Sequence, residues 1–221
     1  AVCTKAVTPA LGLRACTEFV RGALLPRAAA LSAPAPRTLV SGVTAAAKQR
    51  PQAVVEGLLV PLLHGDAAAG DGSAAAAGDS GAGVGDSSSG GRMAPGSAQC
   101  ELLLRTARSA LPPHAAAPLV AAACDPRCAW NDGTVALVTS LLGMKLVLDD
   151  SAVAALAGRI EAEAERAEQC KSLKFATLLH TLVLKYGPQA GPHAAVLRTA
   201  AEKNTTFMKK SALSALQRLK S

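Results

Sequence analysis

Residues 172–187 read SLKFATLLHTLVLKYG, and the spacing of their apolar side chains decides the fold class. Phe175, Leu179, Leu182 and Tyr186 recur at helical intervals on one face, while Lys174, Thr177, Thr181 and Lys185 fall on the other. A helix with one apolar face is held mainly by what it packs against, so this segment needs neighbours. The flanking sequence supplies them. The spacing predicts further helices over 99–110, 114–123, 132–144, 151–168, 193–203 and 206–219, besides 173–186 itself. Between them stand Pro112-Pro113, Asp125-Pro126, Asp149-Asp150, Cys170, Gly187-Pro188, Gly191-Pro192 and Asn204, several of them residues that cap a helix start.

Half of the 221 residues are hydrophobic, yet only three are Phe, one is Tyr and one is Trp. Burial must therefore come from Leu-lined helix faces packed closely across Ala, which makes the expected fold all-α. An internal repeat refines this. Leu103, Leu104, Arg105 and Thr106 align with Leu178, Leu179, His180 and Thr181, while His114 aligns with His193 and Trp130 with Phe207. Two such units with the 151–168 helix between them would make antiparallel helical repeats stacked as a short α-solenoid of the HEAT/ARM-like kind.

Composition divides the chain in three. Residues 1–64 read as an N-terminal helical segment ending at Leu63, with an Ala-rich helix pair over 11–25 and 37–48. The first fifty residues carry seven bases against the single acid Glu18, a balance shared with organellar transit peptides, but the helix pair is the better reading. Residues 65–97 are almost all Gly, Ala, Ser and Asp and hold little that could offset the entropy of ordering them, so a disordered linker or insertion is expected there. Residues 98–221 form the C-terminal helical-repeat domain.

Catalytic signatures are missing from the sequence. It has no P-loop, G-x-S-x-G, H-E-x-x-H or dinucleotide fingerprint after a strand, and GAGVG at 81–85 lies in low-complexity sequence. The six cysteines, at 3, 16, 100, 124, 128 and 170, lack the paired spacing of a zinc site; they read as small apolar residues of a reducing compartment, with no metal and no cofactor. His64, His114, His180 and His193 lie far apart and read as caps or surface groups. Glu161, Glu163, Glu165 and Glu168 read as a solvated face that could also neutralise the basic helix after them. No segment approaches the roughly 18 apolar residues of a bilayer span, so a non-enzymatic, non-membrane protein is expected.

Charge singles out one end. Residues 171–221 hold nine Lys or Arg and the single acid Glu202, whereas the other 170 residues carry fourteen bases and fifteen acids. A local basic face calls for a negative or mixed partner. In the final helix Met208, Ala212, Ala215 and Leu219 mark the buried stripe, and Phe207 shares its side with Lys210, Ser214 and Arg218. An aromatic among charges is either an interface anchor or a staple folded back on the preceding helix. Lys209, Lys210, Arg218 and Lys220 could touch phosphates, but exposed rings for base stacking are scarce, so direct DNA binding is expected to be weak or absent.

WNDGTV at 130–135, SLKFATLL at 172–179, KYG at 185–187 and NTTFMKKSALSAL at 204–216 resemble the C-terminal domain of the Fanconi anaemia group E family over residues 99–221. The resemblance implies a helical-repeat adaptor in the nuclear Fanconi anaemia core complex, a ubiquitin ligase of DNA interstrand crosslink repair. Such an adaptor binds the group C protein among other core-complex subunits and presents the group D substrate for monoubiquitination. Thr206, Phe207, Lys209 and Lys210 fall in the matching terminal motif and are the implied substrate contacts. The same helices would also suit a generic helical-repeat interaction scaffold or a basic helical nucleic-acid-binding module.

Overall fold

Among the described residues three helices begin on a side-chain cap. Asn131 Oδ1 accepts from the Thr134 amide at 2.9 Å, Asp149 Oδ1 from the Ala152 amide at 2.8 Å, and Ser172 Oγ from the Phe175 amide at 3.3 Å. Each satisfies a donor that the first helical turn leaves without a partner. A computed structural model describes residues 12–66 and 94–219, and every regular element among them is helical. In chain order these are α1 (Leu13–Ala29), α2 (Arg37–Gln49), α3 (Pro51–Val54, a π turn at Val55–Leu59, then Val60–His64), α4 (Ser97–Ala110), α5 (Pro113–Cys124) and α6 (Asp132–Gly143). They continue with α7 (Asp150–Glu163), α8 (Ala167–Cys170), α9 (Leu173–Lys185), α10 (Gly187–Ala190, followed by a 3-10 turn Gly191–His193), α11 (Ala194–Lys203) and α12 (Lys209–Arg218). The fold is all-α.

The π turn in α3 has a local cause. Pro61 has no amide hydrogen and its ring crowds the preceding turn. The chain widens just before it, with the Val60 amide bonding back to Val55 O. Gly57 sits inside this turn because a Cβ there would lie 2.6 Å from the Thr17 carbonyl oxygen of α1. Leu58, Leu59, Leu62 and Leu63 are thereby all directed into the core.

Two successions of packing run through the molecule. α2 packs on α4, α4 on α6, α6 on α9 and α9 on α12; alongside, α3 packs on α5, α5 on α7 and α7 on α11. One continuous cluster of buried side chains extends from Cys16 in α1 to Leu216 in α12. The segment before residue 67 thus shares its core with the segment after 93. Two polar ties reinforce the junction: Gln99 Nε2 donates to Ala29 O at 2.6 Å, and the buried His64 donates from Nε2 to Ala122 O at 2.9 Å. Most of the expected linker, residues 67–93, lies outside the described residues, as do 1–11 and 220–221. Its described margin is part of the fold: Pro95 is buried and its carbonyl accepts from Asn131 Nδ2 at 2.8 Å.

The helix expected over 151–168 is two helices. α7 stops at Glu163, whose carboxylate is buried and held by Arg159 at 2.8 Å and by Arg166 at 3.3 Å, and the Arg166 amide closes a turn onto Glu163 O. Glu163 is therefore no part of a solvated face. Glu165, by contrast, is exposed and pairs with Lys203 of α11. Arg159 also donates to Cys128 O at 2.6 Å and lies 5.7 Å from the centroid of the buried Trp130 ring. Among the described residues no helix is long and apolar enough to cross a membrane.

Candidate partner-binding surface

α12 packs on α9 and α11. Ala212, Ala215 and Leu216 are buried in that contact, with Met208 and Leu219 half-buried at its ends. The stripe expected from the sequence is present, but its centre is Leu216. Leu219 lies close over Gly187, where a Cβ would meet its Cδ2 at 2.9 Å.

The final helix starts at Lys209, three residues later than the spacing suggests. Asn204 is the reason. This side chain is 1% exposed; its Oδ1 accepts from the Thr206 amide at 2.9 Å and also from the Thr206 hydroxyl. An Asx turn of this kind competes with helix and delays its start. The Thr205 amide ties the turn to Cys170 O at 2.9 Å, and Lys209 Nζ reaches back to Glu202 O at the end of α11. The connection between α11 and α12 is thus fixed at several points.

Phe207 lies in this fixed connection and is 78% exposed. It is not folded back as a staple on the preceding helix. Phe207, Lys210, Ser214 and Arg218 are all exposed, whereas Thr206 and Lys209 are half-buried and spend their polar atoms on the turn and on α11. The six expected contact residues therefore separate into an outward set of four and an internal pair that shapes the turn.

One residue joins the outward set that the sequence did not single out. Leu184 is 56% exposed and, with His180 from α9, lines a shallow trough of about 370 Å³ against Lys210, Ser211, Ser214 and Arg218 of α12. Its trace in the sequence is an apolar residue outside the face formed by Phe175, Leu179, Leu182 and Tyr186. Among the described residues no acidic side chain lines the trough.

Nucleophiles and metal ligands do not gather here. Among the described residues no group of three His, Cys, Asp or Glu side chains could hold a metal ion, and Cys100, Cys124, Cys128 and Cys170 are not in disulfides. Burial pushes the thiol of Cys128 up to about 12 and that of Cys124 up to about 11, with the nearby Arg159 opposing the shift in both. These are packing groups, not activated ones. No protein-family model and no curated protein matches the chain.

Proposed function

We propose that the chain is a non-catalytic adaptor of the Fanconi anaemia group E kind: a nuclear core-complex subunit that bridges the group C protein to the group D substrate for monoubiquitination in interstrand crosslink repair. Neither a cofactor nor a catalytic residue belongs to this reading. The observation that carries it is Phe207, a large aromatic held out at 78% exposure by a rigid turn, inside the terminal motif NTTFMKKSALSAL that resembles that family. An exposed aromatic loses about 1.5–3 kcal/mol relative to burial, and a protein partner that covers the ring recovers it.

An α-solenoid architecture belongs to the same proposal. The alignment of α4, α5 and α6 with α9, α11 and α12 is supported by matching contacts: α6 packs on α4 and α5 as α12 packs on α9 and α11. Trp130 and Phe207 then occupy corresponding positions ahead of α6 and α12. Trp130 is 2% exposed, with Arg159 of α7 beside it, whereas Phe207 stands open. Stacked helical pairs commonly use such surfaces to hold partner proteins.

Affinity purification of the tagged chain from cells, beside Phe207→Ala, tests the adaptor reading. Recovery of core-complex subunits by both proteins, with the group D substrate lost only from the variant, is expected. Recovery of no repair subunit by either would refute the reading. Tight, salt-sensitive binding of duplex DNA by the chain alone, lost on charge reversal at Lys210 and indifferent to Phe207→Ala, would favour the nucleic-acid alternative.

A further inference from the structure

We infer that the trough between α9 and α12 receives an acidic amphipathic helix of a protein partner, with an apolar side chain against Leu184 and carboxylates against Lys210 and Arg218. Charge decides the sign of the occupant: Lys210 and Arg218 line the trough, and among the described residues no acidic side chain does. Apolar exposure decides its class. Leu184, 56% exposed, lies in the trough, and Phe207, 78% exposed, lies in the turn just ahead of α12. A phosphodiester backbone gains nothing from covering a leucine, while a helix with one apolar stripe does.

Spacing decides the form. Lys210, Ser214 and Arg218 succeed one another at intervals of one turn, so the two cations stand about 12 Å apart along the α12 axis. Glutamates two turns apart on a partner helix repeat that distance, and a leucine midway between them faces Leu184. Ser211 and Ser214 are short and allow such a helix to approach closely. The binding mode is a helix laid in a groove between two others, anchored by one apolar contact and oriented by its charges.

The inference rests on the adaptor reading for the identity of the partner, the group D substrate, but not for the partner's chemistry. The test uses the full chain and a labelled synthetic helical peptide in which one leucine is flanked by glutamates a turn away on either side. A glutamine version of the peptide and a DNA duplex serve as comparison probes. Fluorescence anisotropy at low and physiological salt is expected to show binding of the glutamate peptide. Binding should weaken by at least about tenfold for the Lys210→Glu, Arg218→Glu double variant and by about fivefold for Leu184→Ala. The glutamine peptide should bind less tightly by a similar factor. Ser214→Asp, which places an acid at the centre without altering the core, should repel the peptide and is a second variant in case one of the others misfolds. Absence of saturable glutamate-peptide binding, affinity unchanged by Leu184→Ala and Ser214→Asp, or preference for the duplex would each overturn the inference. Failure of the adaptor reading shows elsewhere, as loss of repair subunits from the purification, so the two outcomes can be told apart.

Discussion

Asn204 Oδ1 accepts the backbone amide of Thr206 at 2.9 Å, and this bond places Phe207 outside the helix it would otherwise begin. The carboxamide is almost wholly buried, so the turn is built into the core rather than added to the surface. Asn204→Ala removes the acceptor and leaves the Thr206 donors without it. A destabilisation of about 1–3 kcal/mol is expected, read as a lower urea midpoint with unchanged slope. Partner binding should fall as well, although Phe207 itself remains, because the turn that presents the ring is loosened.

Glu163 is buried between Arg159 and Arg166. Glu163→Ala leaves the largely buried Arg159 without its carboxylate, and a loss of about 3 kcal/mol is expected in chemical unfolding. Glu163→Gln retains an acceptor for Arg159 and should cost less. Equal stability of all three proteins would show that the pair does not hold the turn after α7.

Gly57 and Gly158 answer oppositely to the same change. An alanine at Gly57 brings its Cβ to 2.6 Å from Thr17 O, so α1 and α3 must separate, at a cost of about 1–3 kcal/mol. Nothing lies within 4 Å of a Cβ at Gly158, an exposed position inside α7. Gly158→Ala should stabilise by about 0.5–1 kcal/mol. Thermal melts of the two variants should therefore shift in opposite directions.

Alkaline conditions should unfold the protein through its thiols. Burial holds Cys124 and Cys128 at about 11 and about 12, above the ordinary thiol value of 9.0 to which they return on unfolding. Above pH 9 the unfolded chain binds fewer protons than the native one, so stability falls as pH rises from about 9 towards about 12 and is fully present below that range. Unfolding free energy measured from pH 8 upward should decline above about pH 9, and the buried Cys128 should resist alkylation at pH 8 until denaturant is added. Rapid labelling of Cys128 in the native protein would contradict this burial.

Legibility in the sequence followed the physics of each element. The α9 face was readable because Phe175, Leu179, Leu182 and Tyr186 recur at the helical period, and all four are buried. Helix starts at Asp132 and Leu173 were readable from the apolar spacing, and Asp149 from its place in the Asp149-Asp150 break, because capping is local chemistry. The end of α7 was not, and nothing in a run of glutamates reveals that Glu163 is the one that faces inward. The terminal site was half legible. Motif and charge drew attention to Phe207, Lys210, Ser214 and Arg218; the Asx turn at Asn204 is local chemistry that the apolar spacing from 206 obscures, whereas the inward use of Lys209 and the exposure of Leu184 are tertiary facts. Each needs a neighbouring element, α9 or α11, that the local pattern does not specify.

The most direct measurement is the affinity of the purified chain for purified group D substrate, beside that of Phe207→Ala, with thermal melts of both proteins. At 78% exposure the ring contributes little to the fold, so the variant should melt within about 0.5 kcal/mol of the parent. It should bind the substrate about tenfold or more weakly, as loss of an aromatic anchor does. Equal affinity of the two proteins, or no measurable binding by the parent, would contradict the account.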